Sequence, residues 1–309
     1  MAASDTPSQS RLSVVIASLV GPPFIDNCLE SLEEQARELD TEVIVIACGD
    51  DAYAQRLRDR YPWVRILHQS TREGVPELRR RGVEAANGDV VAVIEEHCTA
   101  SPNWLRIIQA GHGSTGLKPV PQVIGGPVVD HAYSRLRDWV VYFCEYNGAL
   151  PPAPDGEVGD LNGANIAYMR QVLLDHKDLL AKGYWEASLH PVLLAEGVRF
   201  LSVPSMVVHH RGPFEFGYYL RQRYWFSRAF AGARARKLPV WQRLAYLVAA
   251  PLVPPLLLAR MAQRVWRKRC HVGKFALALP LFVPALTSLV AGEWIGYLLG
   301  PGDALGKVE

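Results

Sequence analysis

One stretch constrains the fold of this chain more than any other: Asp89-Val90-Val91-Ala92-Val93-Ile94-Glu95-Glu96-His97-Cys98. It is an apolar, β-branched run that stops abruptly at three ionisable side chains. Ser101-Pro102-Asn103-Trp104 follows, with Ser and Pro in the cap and first-turn positions of a helix. Strand, acidic loop, helix is the order in which open α/β sheets place ligand sites, at the carboxyl ends of their strands. Two readings of the loop are open. Glu95 and His97, at i and i+2, point together at a hard divalent cation or at a diphosphate carried on one; or the loop is acidic and merely solvated.

The residues before it repeat the pattern. Leu12 to Ser18 reads as a buried first strand, Glu42 to Ala47 as a second and Val64 to Leu67 as a third. Between them, Gly21-Pro22-Pro23 opens a helix with Ile25, Cys28, Leu29 and Leu32 on one face, and Gly49-Asp50-Asp51 supplies a turn and a cap. A helix opens at Gly74 and stops near Asn87-Gly88. Alternating strands and helices predict an α/β fold with a doubly wound, mostly parallel sheet. No GxGxxG follows the first strand, which excludes a dinucleotide-binding Rossmann domain. Arg79, Arg80 and Arg81 form either a solvated face or a diphosphate-binding cluster.

Farther on, Gln122 to Val129 reads as a strand broken by Gly125-Gly126, a sign of close backbone approach. Leu161 to Arg170 mixes turn residues with apolar ones. Trp185-Glu186 precedes a helical pattern ending at Glu196-Gly197. Arg199 to Val203 reads as a strand leading to Val207-Val208-His209-His210.

Lys and Arg number 33 against 31 Asp and Glu, so net charge gives no support to a nucleic-acid partner. The distribution is uneven: no Asp or Glu lies between Glu215 and Glu293, while Arg and Lys are frequent in the first half of that interval. A basic, acid-free segment beside apolar runs points to an anionic membrane surface. Five widely spaced cysteines without a CxxC pair fit free thiols in a reducing compartment. The polar residues 1–10 contain no secretory signal pattern.

Tyr218 to Arg228 interleaves aromatics with Arg, as suits a membrane interface. Leu244 to Ala259 is apolar but interrupted by Pro251, Pro254 and Pro255. Its roughly 24 Å as a helix falls short of a hydrocarbon core of roughly 30 Å, which predicts a re-entrant or interfacial segment. Phe275 to Leu299, about 25 residues, is long enough to span with tilt. The basic Arg264 to Arg269 stretch between them is expected on the cytoplasmic side of the cell membrane.

The order of these motifs resembles the family 2 glycosyltransferases, which have the GT-A fold, over roughly Leu12 to Arg236. Ser13 to Ser18 is similar to the family's first nucleotide-side strand, and Glu42 to Asp51 to its second strand and turn. Leu78-Arg79-Arg80-Arg81-Gly82 resembles the Ala-Arg-Asn-x-Gly helix start. Glu95-Glu96-His97 sits where the family has Asp-x-Asp. Gly163 to Arg170 resembles the Gly-x-Asn-x-Ala-x-x-Arg segment of the acceptor side, and Trp185-Glu186 falls where the family carries its general base.

The resemblance implies an inverting transfer of a sugar from a nucleoside-diphosphate donor, and the apolar C-terminal segments predict that the chain is membrane-associated and point to a lipid, lipid-linked or glycan acceptor. The resemblance also implies Glu186 as base; Arg79, Glu95, Glu96 and His209 at the donor diphosphate; Asn165, Gln222 and Arg223 on the acceptor side; and Glu95 with His97 at a divalent metal, Mn or Mg. Such chemistry needs a base for the acceptor hydroxyl and positive charge where the diphosphate leaves. The implied organisation is a polar tail over 1–10, a catalytic domain over 11–236 and a membrane-associated helical region over 237–309. Three departures from the pattern stand out. His97 replaces the usual last Asp, Ala47-Cys48 stands where an acid often reads the nucleobase, and Ala187 replaces the second acid beside Glu186. They leave open a rival: a catalytically silent nucleotide-sugar-binding scaffold of the same fold.

Overall fold

A computed structural model describes residues 11–113, 121–180 and 185–308; the polar tail expected over 1–10 lies outside them. The chain divides into two compact units. The first takes Met1–Arg72, Pro76–Val129 and Ala153–His209; the second takes Glu73–Val75, Asp130–Pro152 and His210–Glu309.

The strands are β1 Leu12–Ser18, β2 Glu42–Cys48, β3 Arg65–Gln69, β4 Val90–Ile94, β5 Cys98–Ala100, β6 Val123–Gly125, β7 Val128–Asp130, β8 Gly156–Val158, β9 Asn165–Met169, β10 Phe200–Ser202 and β11 Val208–His210. Eight of them form a sheet in the order β3-β2-β1-β4-β9-β6-β10-β8. β1 pairs parallel with β2 and β4, β2 with β3, and β6 with β10; β9 runs antiparallel between β4 and β6. This is the expected doubly wound, mostly parallel sheet, with β4 inside it.

All seven residues of β1 and all five of β4 are buried, as continuous apolar runs covered on both faces should be. The first unit's helices are α1 Phe24–Glu38, α2 Asp51–Arg60, α3 Val75–Ala85 (its first residue excepted) and α4 Trp104–Gly113. α1 buries Ile25, Cys28, Leu29 and Leu32, the face that its spacing predicts. Each fully buried aliphatic side chain stabilises by about 1.5–3 kcal/mol. Asp50 caps α2 by accepting from the Tyr53 N–H at 2.7 Å. α3 lies flush on the sheet at Gly82. A Cβ there would stand 2.3 Å from Val15 Cγ1 and 2.7 Å from Ile46 Cδ1, so only glycine allows the helix this close.

Two expectations need correction. The acidic loop does not lead straight into a helix, because β5 intervenes and joins β11 and β7 in a second, three-stranded sheet. Three residues are too few to show a period. Gln122 to Val129 is not one strand but two, β6 and β7, in different sheets. Gly126 makes the break: a Cβ there would meet the Met206 carbonyl oxygen at 1.9 Å, the close approach that the Gly pair signals.

The second unit is helical. α5 Leu136–Tyr146 belongs to it, whereas α6 Arg170–Asp175, α7 Lys177–Leu180 and α8 Trp185–Ala195 belong to the first unit. α9 Phe216–Ala235, α10 Val240–Ala249, α11 Val253–Lys268 and α12 Val272–Leu299 complete the second. The composition-based boundary near residue 236 does not coincide with the compact units, because α5 and α9 pack on α12. Pro251, Pro254 and Pro255 interrupt the apolar run, as expected, by separating α10 from α11. They fall in a 3-10 turn over Ala250–Leu252 and in the first turn of α11, where no intrahelical N–H is needed. Residues Val240–Lys268 and Val272–Leu299 are each long and apolar enough to cross a membrane.

Candidate active site

Three elements of the first unit deliver ionisable side chains to one place. β4 ends at Ile94 and hands Glu95 to the loop. α3, seated by Gly82, carries Arg79, which is only 5% exposed. α8 brings Glu186 in its first turn. Arg79 Nη2 lies 3.4 Å from Glu95 Oε1, and Nη1 lies 3.3 Å from Glu186 Oε1. One guanidinium thus bridges a carboxylate at the end of β4 and a carboxylate 91 positions later (186 − 95). Both carboxylates are about a third exposed. Solvent therefore reaches them, and the net stabilisation is modest. The geometric consequence is larger, because the cation holds two acids that would otherwise repel.

Gly163 completes the arrangement. A Cβ built on it would stand 1.4 Å from Glu186 Oε1 and 3.1 Å from Arg79 Nη1. The Glu186 carboxylate occupies the space that a side chain at 163 would fill. Arg79, Glu95 and Glu186, three of the residues singled out in the sequence, are therefore brought together, and Gly163 is the seat that makes it possible.

Glu96 is placed differently. It is 3% exposed. Its Oε1 accepts from the N–H groups of Leu19 and Val20, each at 2.8 Å, and its Oε2 from Ser18 Oγ at 2.7 Å and the Gly21 N–H at 3.0 Å. Both oxygens are committed to the turn between β1 and α1, so Glu96 anchors that turn where the resemblance implied a diphosphate contact. Ser18 gives its one proton to Glu96, so the Tyr53 hydroxyl donates to Ser18 Oγ across 2.5 Å. Burial pushes the Tyr53 hydroxyl well above its usual range, which keeps that donor proton in place. Burial, and then the charge of Glu96, likewise raises the Cys28 thiol and leaves it inert.

Asn165 also has an architectural place. It is fully buried at the start of β9. Its Nδ2 donates to the carbonyls of Pro127 at 2.9 Å and Met206 at 2.6 Å, and its Oδ1 accepts from Trp104 Nε1 at 2.8 Å. The amide joins β9, the β6–β7 connection and α4, which corrects the acceptor-side expectation. His209 is half-buried in β11, and its carbonyl accepts from Thr99 Oγ1 at 3.5 Å. His210 belongs to the second unit, buried against Tyr133 and stacked on Phe214. Gln222 and Arg223 lie on α9 in the second unit, where Arg223 pairs with Glu145 at 3.1 Å.

The His97 ring packs against Phe24 with centroids 4.9 Å apart. Among the described residues no group of three or more His, Cys, Asp or Glu side chains could hold a metal ion. Glu95 and His97 are two donors of suitable chemistry, and oxygens from a bound ligand would have to complete a coordination sphere. The Glu96 anchor and the Gly163 seat were not legible beforehand. A Ser at a strand end and a Gly in a turn are too common to signal either.

The family described as Glycosyl transferase family 2 matches residues 13–173, about half of the chain. The match takes in Arg79, Glu95 and Gly163 and stops short of Glu186. A glucosyl-dolichyl phosphate glucuronosyltransferase of Haloferax volcanii is 27% identical over 177 residues, which are 53% of this chain and 54% of that protein. Polypeptide N-acetylgalactosaminyltransferase 10 of Mus musculus is 49% identical over 45 residues, 15% of this chain and 8% of its own. The chain thus spans about half the length of the first relative and a small part of the second. Among solved structures, the mannosyltransferase PcManGT from Pyrobaculum calidifontis, in complex with GDP-Man and Mn²⁺, superposes with a TM-score of 0.55 at 16% identity. That superposition covers 94% of this chain and 88% of the other. GalNAc-T7 with UDP, GalNAc and Mn²⁺ gives 0.50 at 16% identity, over 68% and 45%. The sheet order and these superpositions give the GT-A fold, and the family match over half its length means that this chain belongs to glycosyl transferase family 2.

Proposed function

We propose that this chain is a membrane-associated, inverting glycosyltransferase that moves a sugar from a nucleoside-diphosphate donor to a lipid-linked acceptor. The observation that carries the reading is Arg79 bridging Glu95 and Glu186 over Gly163. Glu186 takes the proton of the acceptor hydroxyl as that oxygen attacks the anomeric carbon. The bond from the anomeric carbon to the diphosphate breaks with its electron pair on the leaving oxygen, and the configuration inverts. Arg79, already flanked by carboxylates, offers its guanidinium to the departing diphosphate, with His209 a second candidate contact. Glu96 acts at one remove, fixing the β1–α1 turn on the nucleotide side. A bound divalent cation would supply further positive charge at the diphosphate, and Glu95 and His97 are the residues that would hold it.

The donor class draws support from PcManGT and GalNAc-T7, solved with GDP-Man and with UDP, and the cation from the Mn²⁺ in both. The acceptor class draws support from the name of the Haloferax relative and from the two apolar C-terminal helices. The basic Arg264 to Arg269 stretch supports a cell-membrane location with the catalytic unit on the cytoplasmic side.

The test is turnover of a panel of nucleotide sugars with Mn²⁺ or Mg²⁺, with and without lipid extract. Glu186→Gln is expected to lower transfer by about 10²–10⁴-fold with donor binding retained. Equal activity in the variant removes Glu186 as base. Donor binding with no turnover by the unaltered chain under any condition favours the silent scaffold.

A further inference from the structure

We infer that the C-terminal hairpin lies in the plane of an anionic membrane surface and does not cross the bilayer. The inference rests on the membrane association proposed above and specifies its geometry. Residues Val240–Lys268 run out, the chain turns at Arg269 and His271, both at positive φ, and Val272–Leu299 runs back. Length and hydropathy alone would let either arm span.

Packing within the second unit argues otherwise. One face of α12, carrying Phe275, Phe282, Leu286, Gly292 and Gly296, is covered by helices rich in charge. At its start the Trp139 ring of α5 lies 4.6 Å from His271, and Phe143 meets Phe275 edge-on at 5.1 Å. Toward its end α9 takes over: Ser288 Oγ donates to the Leu220 carbonyl at 2.6 Å. A Cβ on Gly292 or Gly296 would stand 2.3 Å from the Tyr224 carbonyl oxygen or 2.6 Å from that of Arg228. A crossing α12 would draw these partners into hydrocarbon with it. They bring Arg137, Arg221, Arg228, Arg234 and the Arg223–Glu145 pair, and charged groups there are costly. The hairpin tip is tied down as well. Arg264 Nη1 donates to Asn147 Oδ1 at 3.2 Å, Lys268 Nζ to the Leu150 carbonyl, and His271 pairs with Asp130 at 2.7 Å. The segment flanking α5 therefore holds the tip, and a tip on the far side of a bilayer would strand it there.

Two apolar faces remain bare: Leu277, Leu279, Val283, Leu298 and Leu299 on the side of α12 away from its partners, and a longer stripe on α10–α11. Val240, Leu244, Val248, Leu252 and Leu256 recur at every fourth position of α10–α11, and all are exposed. Exposed cations border it: Arg236 and Lys237 before, Arg260, Arg267 and Arg269 after. No acid lies between Glu215 and Glu293. An apolar stripe flanked by cations and free of acids is what an anionic lipid surface takes up in its interfacial plane.

The test uses the full chain added to the outside of preformed vesicles of phosphatidylglycerol and phosphatidylcholine. Arg267→Cys is introduced beside Cys270→Ser, with Cys270→Ser alone as background. A membrane-impermeant maleimide is expected to label the new thiol equally before and after detergent; labelling only after detergent overturns the in-plane arrangement. Flotation supplies the second arm. Arg260→Glu, Arg267→Glu and Arg269→Glu together should weaken binding to phosphatidylglycerol vesicles at least about tenfold, and unchanged binding rejects the anionic surface. A chain that floats with neither lipid overturns the membrane association itself, a result distinct from the other two.

Discussion

β4 and α10 are made of similar residues and end in opposite surroundings. Every residue of Val90–Ile94 is buried, whereas Val240–Ala249 buries none. The difference follows from where each backbone finds its hydrogen bonds. A strand must take them from neighbours, here β1 and β9, so its apolar side chains come to rest inside a sheet. A helix satisfies its own backbone and can leave an apolar face uncovered, which is what a lipid surface accepts. Apolar runs of equal quality thus serve as scaffold in one unit and as exterior in the other. The buried strand holds the charge at its end in register, as the Arg79 corner shows.

That contrast can be broken or sharpened. The largest effect is expected at the corner, where Gly163→Ala pushes a methyl group onto the Glu186 carboxylate. Misplacing the proposed base by about an ångström should cost about 10²-fold in kcat, with nucleotide affinity much less affected; wild-type kcat would show that the seat has no role. Next comes Val93→Ala in β4, where the side chain is 1% exposed. It should lower unfolding stability by about 2 kcal/mol, read from denaturant midpoints.

A pH series follows. Burial pushes the Glu42 carboxyl up, but hydrogen bonds from Ser13, the Asn87 backbone, Arg65 and the Asn87 side chain outweigh it and hold the group below its ordinary 4.5. Its contribution is therefore in place above about pH 4.5 and is lost as the pH falls through the lowered folded value. Glu42→Gln should flatten the acid limb of a Tm-against-pH profile, and an unchanged limb would refute the linkage. The smallest effect belongs to Val248→Ala on α10, 81% exposed. It should shift stability in detergent by no more than about 0.5 kcal/mol. A loss as large as that at Val93 would mean that the α10 face is covered, and the contrast with β4 would fall.

Much of the first unit was legible because long, regular patterns leave little choice. β1 begins and ends where its apolar run does, and α1 buries the face that its spacing marks. Arg79 and Glu95 stood out as charges beside such runs. Short elements escaped: β5, β6 and β7 have three residues each, below one useful period. The prolines marked the break between α10 and α11, although Pro254 and Pro255 start the second helix and only Pro251 lies in the turn between them.

Glu95 and Glu96 mark the division most sharply. Sequence alone determined that an acidic loop ends a buried strand of a parallel sheet, because β-branched apolar runs between helices admit few other folds. It also determined that an acid-free, basic and apolar region follows. Only tertiary structure decided which acid faces what. Past Ile94 the chain leaves the strand and turns, the Cys98 N–H bonding the Glu95 carbonyl at 2.9 Å, so these neighbours in sequence point to different partners. Glu95 meets Arg79, and through it Glu186, while Glu96 turns inward to four donors at the end of β1. Arg79 lies 16 positions from Glu95, but the other partners lie some 75 to 91 positions away, a separation that no local pattern reports.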